Sequence, residues 1–124
     1  MSRKYPQVTA RFRSHNPKEL FISSIVAAEL AAGVMNSAPA YQDKNRIVLG
    51  DFLSRMQIRP WDEKSIWLFG EHKTRLWRAG TRIGELDLLI GCQALASNAI
   101  MVTNNIREFE RIEGLKLENW ADIK

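Results

Sequence analysis

Short apolar runs alternating with longer helical stretches constrain this chain more than any other feature. Leu20–Val26 is rich in branched and aromatic residues and reads as a buried strand. Ser24 offers an N-cap for a helix through Ala27–Val34, which Asn36-Ser-Ala-Pro39 ends. Ile47, Val48, Phe52 and Met56 recur at helical spacing, so Tyr41 to Met56 reads as a second, amphipathic helix. Gln57–Trp61 is a brief strand, and Asp62 caps a helix from Glu63 to Arg78 that Gly80 stops. The loop Thr81–Gly84 feeds a helix whose first turn holds Glu85 and Asp87. Its continuation, Leu88–Ala96, is apolar on most faces. Ala99–Thr103 is another buried strand, Arg107–Arg111 a short helix, and Leu115–Trp120 a last strand entered from Gly114. Residues 1–18 are polar and basic, broken by Pro6 and Pro17, with a short helix at Val8–Arg13. Strands alternating with helices predict an α/β fold with a parallel sheet covered on both faces. Ligands bind such sheets at the carboxyl ends of the strands, which points to Ser24–Glu29, Asp62 and Asn104–Asn105.

A length of 124 residues suits one domain, expected to span 1–124. The lone cysteine, Cys92, excludes an internal disulfide and argues against a cysteine-built zinc site. No apolar run approaches the ~18 residues of a membrane span, and the N-terminus leads into no signal-peptide core. The expectation is a soluble, cytoplasmic protein with no membrane partner. Lys and Arg total 18 against 14 Asp and Glu, a net charge of +4 that ordinary solubility explains. Clustering of Arg3, Lys4, Arg11 and Arg13, and of Lys73, Arg75, Arg78 and Arg82, raises the case for a polyanion partner.

Histidine and thiol chemistry are poorly supported. His15 and His72 lack a nucleophile partner, Cys92 sits in the most apolar helix as inert packing, and no glycine-rich phosphate loop is present. The carboxylates are more informative. Glu29 lies among small apolar residues just after a strand, and Asp87 leads a strongly apolar helix. Acids on faces expected to be buried must be neutral, paired with a base, or bound to a metal. An ion pair with Arg46 would account for Glu29 alone, and the helix dipole for Asp87 alone. Taken jointly, and with Asn105 after a third strand end, the metal reading gains.

These segments carry a family resemblance. Phe21-Ile-Ser-Ser-Ile followed by Ala28-Glu-Leu and Gly33 resembles the second strand and helix of PIN-domain toxins of the VapC type. Ile83-Gly-Glu-Leu-Asp-Leu-Leu-Ile resembles their third acidic motif. Val102-Thr-Asn-Asn-Ile-Arg-Glu-Phe-Glu-Arg-Ile and Gly114-Leu-Lys-Leu-Glu-Asn-Trp resemble their C-terminal signature, and the similarity runs in order from about Tyr5 to Trp120. The resemblance implies a PIN-like three-layer sandwich with a mostly parallel central sheet. It also implies a magnesium-dependent endoribonuclease, with manganese as an alternative ion, acting as the toxin of a type II toxin–antitoxin pair. A VapB-like antitoxin would neutralise it. Glu29 falls on the family's second acidic position and Asp87 on the third, both as metal ligands, while Asn105 replaces the fourth, often an Asp. A homodimer is implied too; the four Trp fit a protein interface, and core packing explains them equally well.

One departure stands out. The family opens with a central strand ending in a catalytic Asp, and no such segment is present; Met1–Val8 instead resembles the family's first helix. The expectation is therefore an N-terminally truncated domain lacking its first acid. The alternative to an active ribonuclease is an impaired remnant, or a mis-started product, that still binds the antitoxin. Two acids suffice to hold magnesium weakly, since it takes one or two carboxylates plus waters and substrate oxygens. Arg75, Arg78 and Arg82 are candidates for lining an RNA path, with ordinary solvated helix surface as the competing account.

Overall fold

The structure is a computed structural model in which residues 20–119 are described. The helix expected at Val8–Arg13, the basic N-terminal cluster and the end of the last strand at Trp120 lie outside them. Strand β1 spans Phe21–Ser23, followed at once by helix α1, Ser24–Met35. The N-cap is Ser23 rather than Ser24: its extended backbone lets its side chain accept the Ile25 N–H at 3.1 Å. That bond starts the helix early, so Ser24, Ile25 and Val26 are helical despite their strand-like composition. Helix α2 spans Pro39–Ser54, opening with proline in its first turn, where no N–H is missed. Strand β2 is Gln57–Arg59.

Asp62 precedes a single 3-10 turn, Glu63–Ser65, before helix α3 begins at Ile66 and runs to Arg78. Asp62 makes no side-chain cap bond there, so its expected capping role is not realised. Gly80, at φ 70°, ends α3: the Thr81 N–H bonds the Leu76 carbonyl and the Gly80 N–H bonds that of Trp77. This double closure needs a left-handed residue, which glycine adopts without cost. Helix α4, Glu85–Ala96, ends the same way with Asn98 in the left-handed position. Strand β3 (Ile100–Val102), the short helix α5 (Ile106–Phe109) and strand β4 (Lys116–Glu118) complete the described chain.

Among the described residues all strand pairing is parallel, as the alternation predicts. Phe21, Ile22 and Ser23 face Gln57, Ile58 and Arg59, while Ile100, Met101 and Val102 face Lys116, Leu117 and Glu118. Among the described residues the four strands form two separate pairs rather than one sheet. Helix α4 links the two pairs. Its Gln93 amide donates to the Arg59 and Pro60 carbonyls at the end of β2, both at 3.2 Å, and its Leu89 carbonyl accepts the Trp61 indole N–H at 2.9 Å.

The core gathers around the same helix. Leu76, Leu88, Cys92, Phe109 and Ile112 form its buried centre, with Leu68, Phe69, Ile83, Leu95, Met101, Leu115 and Leu117 packed around it. Gly91 allows a close approach: a methyl group there would collide with the Ile112 side chain. Cys92 is fully enclosed, and burial pushes its thiol up to about 11, which fits inert packing. Among the described residues no helix is long and apolar enough to cross a membrane.

Candidate acidic site

The first turn of α4 carries two acids with opposite fates. Glu85 is exposed and bonded to Lys73, whose hydrogen bond and charge hold its carboxyl below the usual range. Asp87 is half-buried, and its carboxyl is held above the usual range. Loss of water is the main cause, followed by a hydrogen bond with Glu108, the charge of Glu108 and the charge of Glu29. The charge of Glu29 thus reaches Asp87 although the two are far apart in sequence, but Asp87 does not follow a strand: α4 is entered from α3 through the loop 79–84. Glu29 itself is exposed, contrary to the expectation of a buried face, because α1 contains no buried residue. It makes no ion pair with Arg46, since solvent already accommodates its charge.

Glu108 is the residue that sequence reasoning missed. One carboxylate oxygen accepts the Gly84 N–H at 3.2 Å and the other accepts the Asn105 side-chain amide at 2.7 Å. A methyl group on Gly84 would sit 3.6 Å from Asp87 Oδ2 and 3.8 Å from Glu108 Oε1, so both oxygens face the same small cradle. The available signal was the spacing: an acid three residues after Asn105, at the start of a helix, is the pattern of a side chain folding back on its cap. Asn105, expected beside the metal ligands rather than among them, steadies Glu108, and its own N–H bonds Thr103 Oγ1 at 3.0 Å. Of the other strand-end candidates, the Ser24 hydroxyl accepts the Trp61 N–H at 3.3 Å, and Asp62 is exposed.

Among the described residues no three His, Cys, Asp or Glu side chains close into a metal-binding group. The donor chemistry still fits a hard divalent cation. Asp87, Glu108 and Glu29 are oxygen donors whose mutual repulsion a cation would relieve, and magnesium needs only one or two carboxylates beside water and substrate oxygens.

The three arginines differ. Arg75 donates to the Arg111 carbonyl at 2.7 Å, bonds His72 Nδ1 at 3.0 Å and pairs with Glu113 at 3.8 Å, which commits it to anchoring the turn after α5. Arg75 donates, so His72 Nδ1 accepts; burial and the Arg75 charge keep this histidine neutral by lowering its pKa. Arg78 and Arg82 are exposed, and among the described residues their guanidinium groups have no ion-pair partner.

Parallel strand pairs joined by helices define an α/β protein, with Asp87 and Glu108 facing one cradle at Gly84 and the charge of Glu29 reaching them from α1. The pattern of the PIN domain matches residues 3–115, and the chain belongs to the PIN domain family, within its VapC group. It is 48% identical over 99 residues to Ribonuclease VapC2 of Rickettsia felis, covering 80% of this chain and 72% of that protein. It is 37% identical over 107 residues to the tRNA(fMet)-specific endonuclease VapC of Salmonella typhimurium, covering 86% of this chain and 79% of that one. The crystal structure of DNA-bound VapBC from Salmonella typhimurium superimposes with a TM-score of 0.87 at 34% identity, over 95% of this chain and 87% of the other.

Proposed function

We propose that this chain is the toxin of a type II toxin–antitoxin pair, a magnesium-dependent endoribonuclease that cleaves RNA phosphodiester bonds in the cytoplasm. The observation that carries this reading is geometric: Asp87 Oδ2 and Glu108 Oε1 face the same cradle at Gly84, and the charge of Glu29 reaches Asp87 from α1. Similarity to VapC ribonucleases and to a VapC held in a VapBC complex supports it, and supports a VapB-like antitoxin as partner. The same reading includes a homodimer and a three-layer sandwich around a single sheet.

Asp87 and Glu29 would hold magnesium, with manganese as a substitute, and Glu108 stands beside them. The ion would supply charge to polarise the phosphate and acidify a bound water. Among the chain's own groups, Asp87 and Glu29 orient the attacking water. Glu108, fixed by Asn105 and the Gly84 N–H, keeps Asp87 in place. Arg82 and Arg78 offset phosphate charge. Water adds to phosphorus, one P–O bond breaks, and the leaving oxygen takes a proton.

The test is cleavage of a labelled RNA by the purified chain with magnesium, with manganese, and in EDTA. Cleavage that needs the ion and falls at least about 100-fold in Asp87→Asn is expected, since removing one charge-stabilising group costs roughly that much. Equal cleavage by Asp87→Asn and the parent would overturn the reading. Absence of cleavage by a folded chain that still co-purifies with its antitoxin would favour the impaired remnant.

A further inference from the structure

A second feature lies against the loop that leads into the acidic cradle. Between the last turns of α3 and residues 81–88 runs an open groove of about 630 Å³, lined by Lys73, Trp77, Arg82, Ile83, Glu85 and Leu88 among others. Such a volume is in the range of small-ligand sites and suits one nucleotide. Leu76 beside it is core, 3% exposed, whereas Trp77 leaves its indole 65% exposed. Unlike Trp67, which is exposed elsewhere on α3, Trp77 turns its open aromatic face into this groove, where a planar ligand could stack on it.

The charge along the groove selects among occupants. Lys73 and Glu85 are bonded to each other and cancel. Arg82 lies in the same groove with its guanidinium unpaired among the described residues, so the groove carries net positive charge beside an aromatic face. Its backbone is fixed, since the Arg82 carbonyl accepts from Arg111 Nη1 at 2.7 Å. Residues Ile83 and Glu85, both lining the groove, flank Gly84, whose N–H is held by Glu108 of the acidic site. An indole plane, an unpaired arginine and an adjoining carboxylate cluster together match a flipped-out base with its phosphate leading towards the acids.

We propose that Trp77 and Arg82 form a nucleotide subsite in which an unpaired RNA base stacks on the Trp77 indole and Arg82 meets a flanking phosphate. This rests on the ribonuclease reading and adds to it the element that selects single-stranded or looped RNA. Trp77 lies outside the cleavage machinery and positions substrate, and Arg82, which offsets phosphate charge in the ribonuclease reading, here also fixes the flanking phosphate.

The experiment measures binding of a short, labelled single-stranded RNA by anisotropy in EDTA, and KM and kcat with magnesium. Trp77→Ala is expected to weaken binding or raise KM about tenfold with kcat little changed, and Trp77→Phe to retain most of the affinity. Arg82→Gln should lower the slope of log affinity against log salt by about one. Trp67→Ala, which removes an indole 78% exposed on another part of α3, serves as the control and should change nothing. Should Trp77→Ala fold poorly, the Arg82→Gln slope decides. Unchanged binding and KM in Trp77→Ala, with the parent still cleaving, overturns the subsite and leaves the ribonuclease standing. A changed oligomeric state in Trp77→Ala without a change in RNA affinity makes this face a protein interface and overturns it also. A parent that neither binds nor cleaves RNA removes both readings.

Discussion

Helix α4 holds Leu88, Ile90, Gly91, Cys92, Gln93 and Ala94 out of solvent, whereas α1 and α2 contain no buried residue. The first region packs against α3, α5 and the segment after it to make the core. The second leaves Leu30, Met35, Tyr41, Ile47 and Val48 exposed. The acidic site draws on both. Asp87 and Glu108 come from the packed region, with Glu108 held by two hydrogen bonds, while Glu29 is delivered by the open helix. Near the site, the bond between the Ser24 hydroxyl and the Trp61 N–H, with Trp61 in turn anchored on α4, adds to the direct packing of α1 against α4. Two carboxylates are thus set by core packing and a third by how one lightly buried helix rests on that core.

The sharpest way to break this contrast is a core truncation. Leu88→Ala removes a side chain 2% exposed and should cost about 2–5 kcal/mol in denaturant unfolding. A cost below about 1 kcal/mol would mean the α4 region is no better packed than α1 and α2. Gly91→Ala comes next. The new methyl would press on Ile112, which is 1% exposed and has nowhere to turn, so a loss of about 1–3 kcal/mol is expected.

A smaller effect probes the place where the two regions meet. Because Asp87 binds its proton more tightly folded than unfolded, its stabilising contribution is complete below the ordinary value of 3.8. That contribution is lost as pH rises through the raised folded value. Asp87→Asn should therefore gain melting temperature relative to the parent across that window and keep the gain at neutral pH. Millimolar magnesium, by relieving the same repulsion, should raise the melting temperature of the parent more than that of the variant. Identical pH profiles for the two proteins would show that the carboxylates do not feel each other. The smallest effect belongs to the open region: Ile47→Ala, at a side chain 72% exposed, should change stability by no more than about 0.5 kcal/mol.

Much of the fold was legible in the chain. Ala99–Thr103, the Gly80 stop, the Asn36 stop and the helix opening on Glu85 and Asp87 all rest on local hydrogen bonds and spacing, and all match the structure within a residue or two. The start of α1 was not, since a strand-like composition at Ser24–Val26 competes with a capping serine, and the cap won. Asp87 is conspicuous in the sequence as an acid ahead of an apolar helix. Arg75 was grouped with Arg78 and Arg82 by charge alone, and only packing reveals that it is spent on Arg111 and Glu113.

By itself the sequence determined the order of elements and the parallel direction of the strands, because these follow from periodicity, capping and the alternation of strands with helices, and it set Glu29 and Asp87 apart as acids among apolar neighbours. Tertiary structure alone decided that Glu108 joins the site, that Glu29 stays in water and that the described strands pair in twos. Each of these depends on which surfaces meet after the chain has turned back on itself. Residues distant in sequence, such as Gly84 and Glu108 or Ser24 and Trp61, have no local signal that records their contact.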